Sequence, residues 1–150
     1  MLTDQMFRHV VIEIALGENK TLTKTMPEKI QQYRNAVGIG AGTNWCAAFV
    51  YWCYESAAWM LGGYNPMLKT GSCGRLYRFA EEYSLFVDSP ERGDIYISGE
   101  KHHTGLIWET NPEYATKKTN TIEGNTWVGD HIWGVHKRQK DLKNAYFIRL

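Results

Sequence analysis

Residues 45–61, "WCAAFVYWCYESAAWML", are apolar around the whole circumference of a helix. A helix of that kind has to lie inside the molecule, with other elements packed around it, and this limits the chain to architectures built on a buried central helix. Gly62 and Gly63 are placed to end it. The rest of the sequence must supply its cover.

On the N-terminal side, "LTDQMFRHVVIEIALGE" sets Phe7, Val10, Val11, Ile14 and Ala15 at helical spacing behind a Thr3/Asp4 cap, with Gly17 at the far end. A helix over residues 3–17 follows. The polar run "ENKTLTKTMPEK" continues into "KIQQYRNAVGIGAGTN", where alternating Gly38, Gly40 and Gly42 read as a flexible loop leading to Cys46. Beyond the central segment, "SCGRLYRFAEEY" predicts a third helix capped by Ser72, with Leu76, Phe79, Ala80 and Tyr83 inward. After "SPERGD" the texture changes to short runs rich in β-branched and aromatic residues: "DIYIS", "HTGLIWE", "TNTIEG", "IWGVHK" and "AYFIRL". Helices first and strands afterwards predict an α+β layout over residues 1–150, a single domain with the helices packed on a small C-terminal antiparallel sheet.

Charge excludes some functions. Seventeen basic residues against sixteen acidic leave a net charge of +1, so no global field draws the chain to nucleic acid or to an anionic membrane. The longest apolar stretch, Trp45 to Tyr54, is about half the roughly 20 residues a membrane span requires. The N-terminus lacks the basic lead of a signal peptide. The expectation is a soluble chain without membrane insertion, in which 43% hydrophobic residues are enough for a core without staples.

Three cysteines, at 46, 53 and 73, cannot all pair with one another, and their spacings match no common zinc pattern. A zinc site from Cys46, Cys73 and a histidine would need unusual spacing. If Asn44 caps the central helix, Trp45 and Cys46 are its first two positions, where unpaired backbone N–H groups and the positive end of the helix dipole favour a thiolate. The Cys46 N–H is then free to stabilise an oxyanion. Cys53, two turns deeper beside Phe49, Val50 and Ala57, reads as a buried, inert thiol.

A cysteine nucleophile needs an imidazole and a group to orient it. "GDIYISGEKHHTGLIWE" offers His102 and His103 at the opening of a strand, and Gly105 on the face of His103 leaves room above the backbone, which favours His103 as the base. His102 reads as a solvated turn residue. Glu123 and Asn125 in "TIEGNTW" share one face of a strand, and either can accept the second imidazole proton. His9, His131 and His136 read as structural or exposed, Asp94 as the cap of a turn, and "KRQK" at 137–140 as a solvated loop. Trp127 either lines a groove for glycan or peptide or packs into the core.

In order, "NWCAAFVYW", "PERGDIYI", "HTGLI", "IEGNTW" and "AYFIRL" resemble a CHAP domain, the cysteine, histidine-dependent amidohydrolase/peptidase family related to the NlpC/P60 hydrolases. The resemblance covers about residues 40–150 and implies a papain-like core. It places the family's nucleophile on Cys46, its histidine on His103 and its polar partner on Glu123 or Asn125. The aspartate-rich calcium loop that some members of the family carry has no counterpart, because "AVGIGAGTN" contains no acid, so no calcium site, and neither another metal nor a cofactor, is expected. Nor does a glutamine lie between Gln32 and Cys46 to complete an oxyanion hole, which leaves Asn44 as the nearest candidate. The "EGNTW" motif is one residue longer before its tryptophan than the family pattern, so the orienting residue stays open between Glu123 and Asn125.

The resemblance implies cleavage of an amide bond in peptidoglycan, with a stem peptide or muropeptide as substrate and action on the cell wall after release or delivery. A delivered antibacterial toxin would use the same chemistry and need an immunity protein as partner. The alternative class is a catalytically silent peptide- or glycan-binding module on the same shell; silencing would remove a catalytic residue, and Cys46, His103, Glu123 and Asn125 are all present.

Overall fold

The computed structural model describes residues 1–113 and 115–150, with Ala115 described by its backbone. The described residues form four helices followed by six strands: α1 (Asp4–Gly17), α2 (Pro27–Val37), α3 (Cys46–Leu61), α4 (Cys73–Glu82), β1 (Phe86–Val87), β2 (Ile95–Ile97), β3 (Thr104–Asn111), β4 (Ala115–Val128), β5 (Ile132–Lys140) and β6 (Tyr146–Ile148). The strands make one antiparallel sheet in the order β1-β6-β2-β3-β4-β5. This is the α+β arrangement expected from helical and then strand-like texture.

α3 is the centre of the core. Ala47, Phe49, Val50, Cys53, Tyr54 and Ala57 are fully buried along it, and α1, α2, β3 and β4 all pack against it. Its last turn departs from the all-round burial expected, because Trp59 is 85% exposed and Met60 also faces outward. The apolar circumference therefore predicts burial for about three turns and fails where the helix outruns the elements covering it. At the other end the helix sits almost on the backbone of β4. A Cβ on Gly124 would lie 2.5 Å from Phe49 Cβ and 2.8 Å from Trp45 Cζ3, so only a glycine permits this approach.

α2 occupies part of the stretch expected to be a loop. Its start and stop signals are present, with Pro27 in its first turn and Gly38 closing it at φ 72°. Only Ile30 and Tyr33 are buried among mostly polar residues, so its apolar period is too thin to stand out. Tyr33 stacks on Trp45 and meets Phe49 and Trp52 edge-on, which makes α2 the lid over the first half of α3.

The capping expectations divide. Thr3 accepts from the Met6 N–H at 3.1 Å and Ser72 from the Arg75 N–H at 3.2 Å, as their spacing suggests. The inward face of α4 is narrower than expected, with Leu76 and Ala80 buried, Phe79 half-buried and Tyr83 exposed. Asp94 caps its turn by accepting from the Glu91 N–H at 2.7 Å. It also receives Arg149 through Nε at 2.9 Å and Nη2 at 2.7 Å, which ties the C-terminal end to the entry of β2.

Candidate active site

Trp45, not Asn44, is the N-cap residue of α3, and its side chain makes no capping bond. Cys46 is consequently the first residue of the helix, with a backbone N–H that has no partner within it. The apolar demand for Trp45 in the core overrides the capping propensity of Asn44, which is exposed. The thiol itself is buried at 3% exposure.

His103 lies just ahead of β3, on the turn from β2. Its backbone N–H donates to Ser98 Oγ at 3.1 Å and its carbonyl accepts from the Ser98 N–H at 2.9 Å, which fixes the start of the strand. The ring is held by its Nε2, 2.8 Å from Glu123 Oε1. Glu123 is wholly buried on β4, next to β3 in the sheet. The space for its side chain is created by Gly105, where a Cβ would come within 2.7 Å of Glu123 Cγ and 2.8 Å of Tyr96 Cε1. The room above this glycine is thus filled by the side chain that orients the imidazole.

The carboxylate is fully engaged. Lys140 Nζ lies 2.8 Å from Oε1, and Thr121 donates its hydroxyl to Oε2 at 2.5 Å. Lys140 Nζ also meets the Tyr96 hydroxyl at 3.2 Å. Sequence reasoning missed Tyr96, Thr121 and Lys140. "KRQK" is the end of β5, not a loop, and its alternation carries the signal: His136, Arg138 and Lys140 turn inward while Lys137 and Gln139 are exposed.

Electrostatics follow from these contacts. Burial alone would raise the Glu123 carboxyl, yet the hydrogen bond and charge of His103, reinforced by Lys140, hold it down at about 2. Burial works against a charged His103 ring, but hydrogen bonds to Cys46 and Glu123 and their negative charges outweigh it and lift the imidazole to about 9. The Cys46 thiol is drawn well below the ordinary thiol range, first by a hydrogen bond with Cys73, then, against burial, by His103 and the backbone of Thr104. These contacts favour a thiolate beside an imidazolium at neutral pH. Cys53 behaves oppositely, because complete burial pushes its thiol up.

Asn125 is not on the face of Glu123. It adopts φ 54°, and between Glu123↔His136 and Thr126↔Gly134 the pairing of β4 with β5 gains one residue on β4. This bulge breaks the two-residue alternation on which a shared face depended. Asn125 instead meets Asn44 through a long 3.5 Å contact from its Nδ2 to the Asn44 Oδ1.

A cleft of about 560 Å³ opens beside His103, with Asn125, Trp127, Trp133 and Arg138 in its walls. Trp127 and Trp133 are cross-strand partners, both partly in solvent and both in the wall of this cleft, so Trp127 is not buried in the core. Arg138 lies over the Trp127 ring at 5.4 Å, donates to Thr126 Oγ1 at 2.9 Å, and also donates to the Trp127 carbonyl. His102 and His131 are exposed, and His9 lies exposed on α1. His136 is buried, with Nε2 2.7 Å from the Ile132 carbonyl. Among the described residues, no group of three or more His, Cys, Asp or Glu side chains is arranged to hold a metal ion, so the zinc reading of Cys46, Cys73 and a histidine has no geometric support.

No family model, no curated protein and no solved structure matches this chain. What it can do chemically is therefore read from Cys46, His103 and Glu123.

Proposed function

We propose that the chain is a cysteine amidohydrolase or endopeptidase that cleaves an amide bond in peptidoglycan through a thioester. The observation that carries this reading is the convergence of three elements: Cys46 from the start of α3, His103 from the mouth of β3 and Glu123 from β4, with the His103 ring hydrogen-bonded to Cys46 and its Nε2 bound to the carboxylate at 2.8 Å. Because Nε2 is committed to Glu123, Nδ1 is the nitrogen that serves Cys46.

The steps follow from that arrangement. The Cys46 thiolate adds to the amide carbonyl, and the oxyanion that forms is within the field of the helix N-terminus, with the Cys46 N–H as one donor. His103 gives its Nδ1 proton to the departing amine as the carbon–nitrogen bond breaks, leaving a thioester on Cys46. The neutral ring then takes a proton from water, whose hydroxide adds to the thioester carbonyl, and the carboxylic acid leaves as the thiolate is restored. Through both half-reactions Glu123 holds the ring's orientation and balances its charge.

Peptidoglycan as substrate rests on the ordered motifs that resemble a CHAP domain. The cleft of about 560 Å³ beside His103, with two tryptophans in its wall, offers room for a peptide or glycan segment. The test is mass spectrometry of material released from purified sacculi. The native protein is expected to generate new amino termini and Cys46→Ala none. Full activity in Cys46→Ala would overturn the hydrolase reading, and hydrolysis of small amides without release from sacculi would overturn the substrate.

A further inference from the structure

The mechanism above leaves two buried thiols unused, Cys53 and Cys73, and the second lies against the nucleophile. Cys73 Sγ lies 3.7 Å from Cys46 Sγ, within hydrogen-bonding range for sulfur. The two thiols come from the first positions of two different helices, α3 and α4, whose N-termini meet at this point. Ser72 fixes the second of them by capping α4. Both side chains are buried, at 3% and 8% exposure.

We propose that Cys73 is a further catalytic residue of this site, the thiol that donates its hydrogen to the Cys46 thiolate and holds the nucleophile in its charged form. This role rests on the hydrolase reading for its purpose, and on the sulfur–sulfur contact for its existence. The direction of the bond follows from the surroundings. Cys46 has the His103 ring and the Thr104 backbone beside it, so it takes the negative charge. Cys73 is pushed up by the bond to Cys46, by burial and by the charge on Cys46, so it keeps its proton and donates. A buried thiolate with an imidazolium on one side and a thiol on the other has two donors, where the sequence suggests one. In the sequence the two cysteines come together only as members of a zinc site of unusual spacing; twenty-seven positions separate them, and the contact arises because each opens a helix.

The experiment measures Cys46 directly. The rate of alkylation by iodoacetamide is followed against pH in the reduced protein, with the modified residue identified by peptide mass spectrometry. In Cys73→Ala the midpoint for Cys46 is expected to rise by at least one pH unit, which makes alkylation at the pH of the native midpoint about fivefold slower or more. Cys73→Ser, which keeps a hydroxyl donor, is expected to rise less. A folded Cys73→Ala with an unchanged midpoint would overturn the proposal. A second measurement uses the native protein with diamide, which accepts two electrons from the thiolate and thiol and two protons, one from the Cys73 thiol and one from the imidazolium or water, while a sulfur–sulfur bond forms. Expected is a disulfide between Cys46 and Cys73 that excludes Cys53 and is reversed by dithiothreitol. Absence of that disulfide while Cys46 remains open to alkylation would also overturn the proposal, and this arm decides if Cys73→Ala does not fold. Neither measurement needs turnover, so a protein that shows the midpoint shift but releases nothing from sacculi would retain the thiol pair and lose the hydrolase reading.

Discussion

Glu123 Oε1 is 2.8 Å from His103 Nε2, on a carboxylate with no solvent exposure. A buried carboxylate is costly unless its oxygens are satisfied, and here both are, by His103, Lys140 and Thr121. The fold maintains this charge beside the one histidine ring that it also uses to reach a thiol. That pairing separates the roles of Glu123 and Asn125, which the spacing in the sequence leaves equivalent.

Glu123→Gln removes the charge that balances the imidazolium and should lower kcat/KM by roughly 10²–10⁴-fold, the range attributed to general acid–base groups. Asn125→Ala, which cuts only a 3.5 Å contact to Asn44, should cost less than tenfold. Circular dichroism on both variants guards against a folding defect, since Glu123→Gln also leaves Lys140 without its buried partner. A larger loss in Asn125→Ala would transfer the orienting role to the bulge.

The pH profile has a predicted shape. Rising pH through about 9 strips the proton from His103, and with it the acid that must protonate the leaving amine, so kcat/KM should fall on that limb. Falling pH protonates the thiolate only well below the ordinary thiol range, so the acid limb should lie far to the acid side of neutrality. Glu123 stays ionised until about pH 2 and adds no inflection between them. In Glu123→Gln the alkaline limb should move down from about 9, because the carboxylate's charge is gone while the hydrogen bond and charge of Cys46 still raise the ring. An alkaline limb unmoved by Glu123→Gln would show that His103 is tuned by something else.

Much of this site is legible in the sequence because its members open regular elements. Cys46 announces itself by standing at the head of an apolar helix, and His103 by preceding a strand with a glycine two positions on. Glu123 is visible only as one of two candidates, because the left-handed turn at Asn125 that separates them is a tertiary feature, next to a Gly124 whose Cβ would clash with Phe49 and Trp45. Lys140 is hidden by composition, since four polar residues in a row resemble a solvated loop until their alternation is placed beside β4. α2 is hidden for the converse reason, a helix that buries only two side chains.

The glycines offer a sharper test of packing. Gly105→Ala would drive a methyl group to within 2.7 Å of Glu123 Cγ, and the carboxylate must move away from His103 or the strands must part. Overpacking of this kind costs about 1–3 kcal/mol, so the melting temperature should fall by several degrees and turnover by at least tenfold. Gly74→Ala in α4, whose new Cβ would meet nothing closer than Ser72 Oγ at 3.8 Å, should leave activity unchanged and stability equal or slightly higher. Equal behaviour of the two variants would mean that Glu123 is not held where the geometry places it.

The tryptophan wall should act on binding and not on chemistry. Trp127 and Trp133 oppose each other across β4 and β5, partly exposed in the same cleft that His103 borders. Tryptophan faces on a groove wall bury large apolar area against a ligand, and losing one commonly removes binding that ground state and transition state share. Trp127→Ala and Trp133→Ala should therefore each raise KM by about tenfold on sacculi or released muropeptides, while kcat changes little. Their exposure means that melting should shift by no more than a few degrees. The pH limbs should stay where they are, since neither ring contributes a charge to Cys46, His103 or Glu123. A variant that keeps its KM but melts far lower would return Trp127 to the core, and one that loses kcat alone would place the wall within reach of the reacting amide.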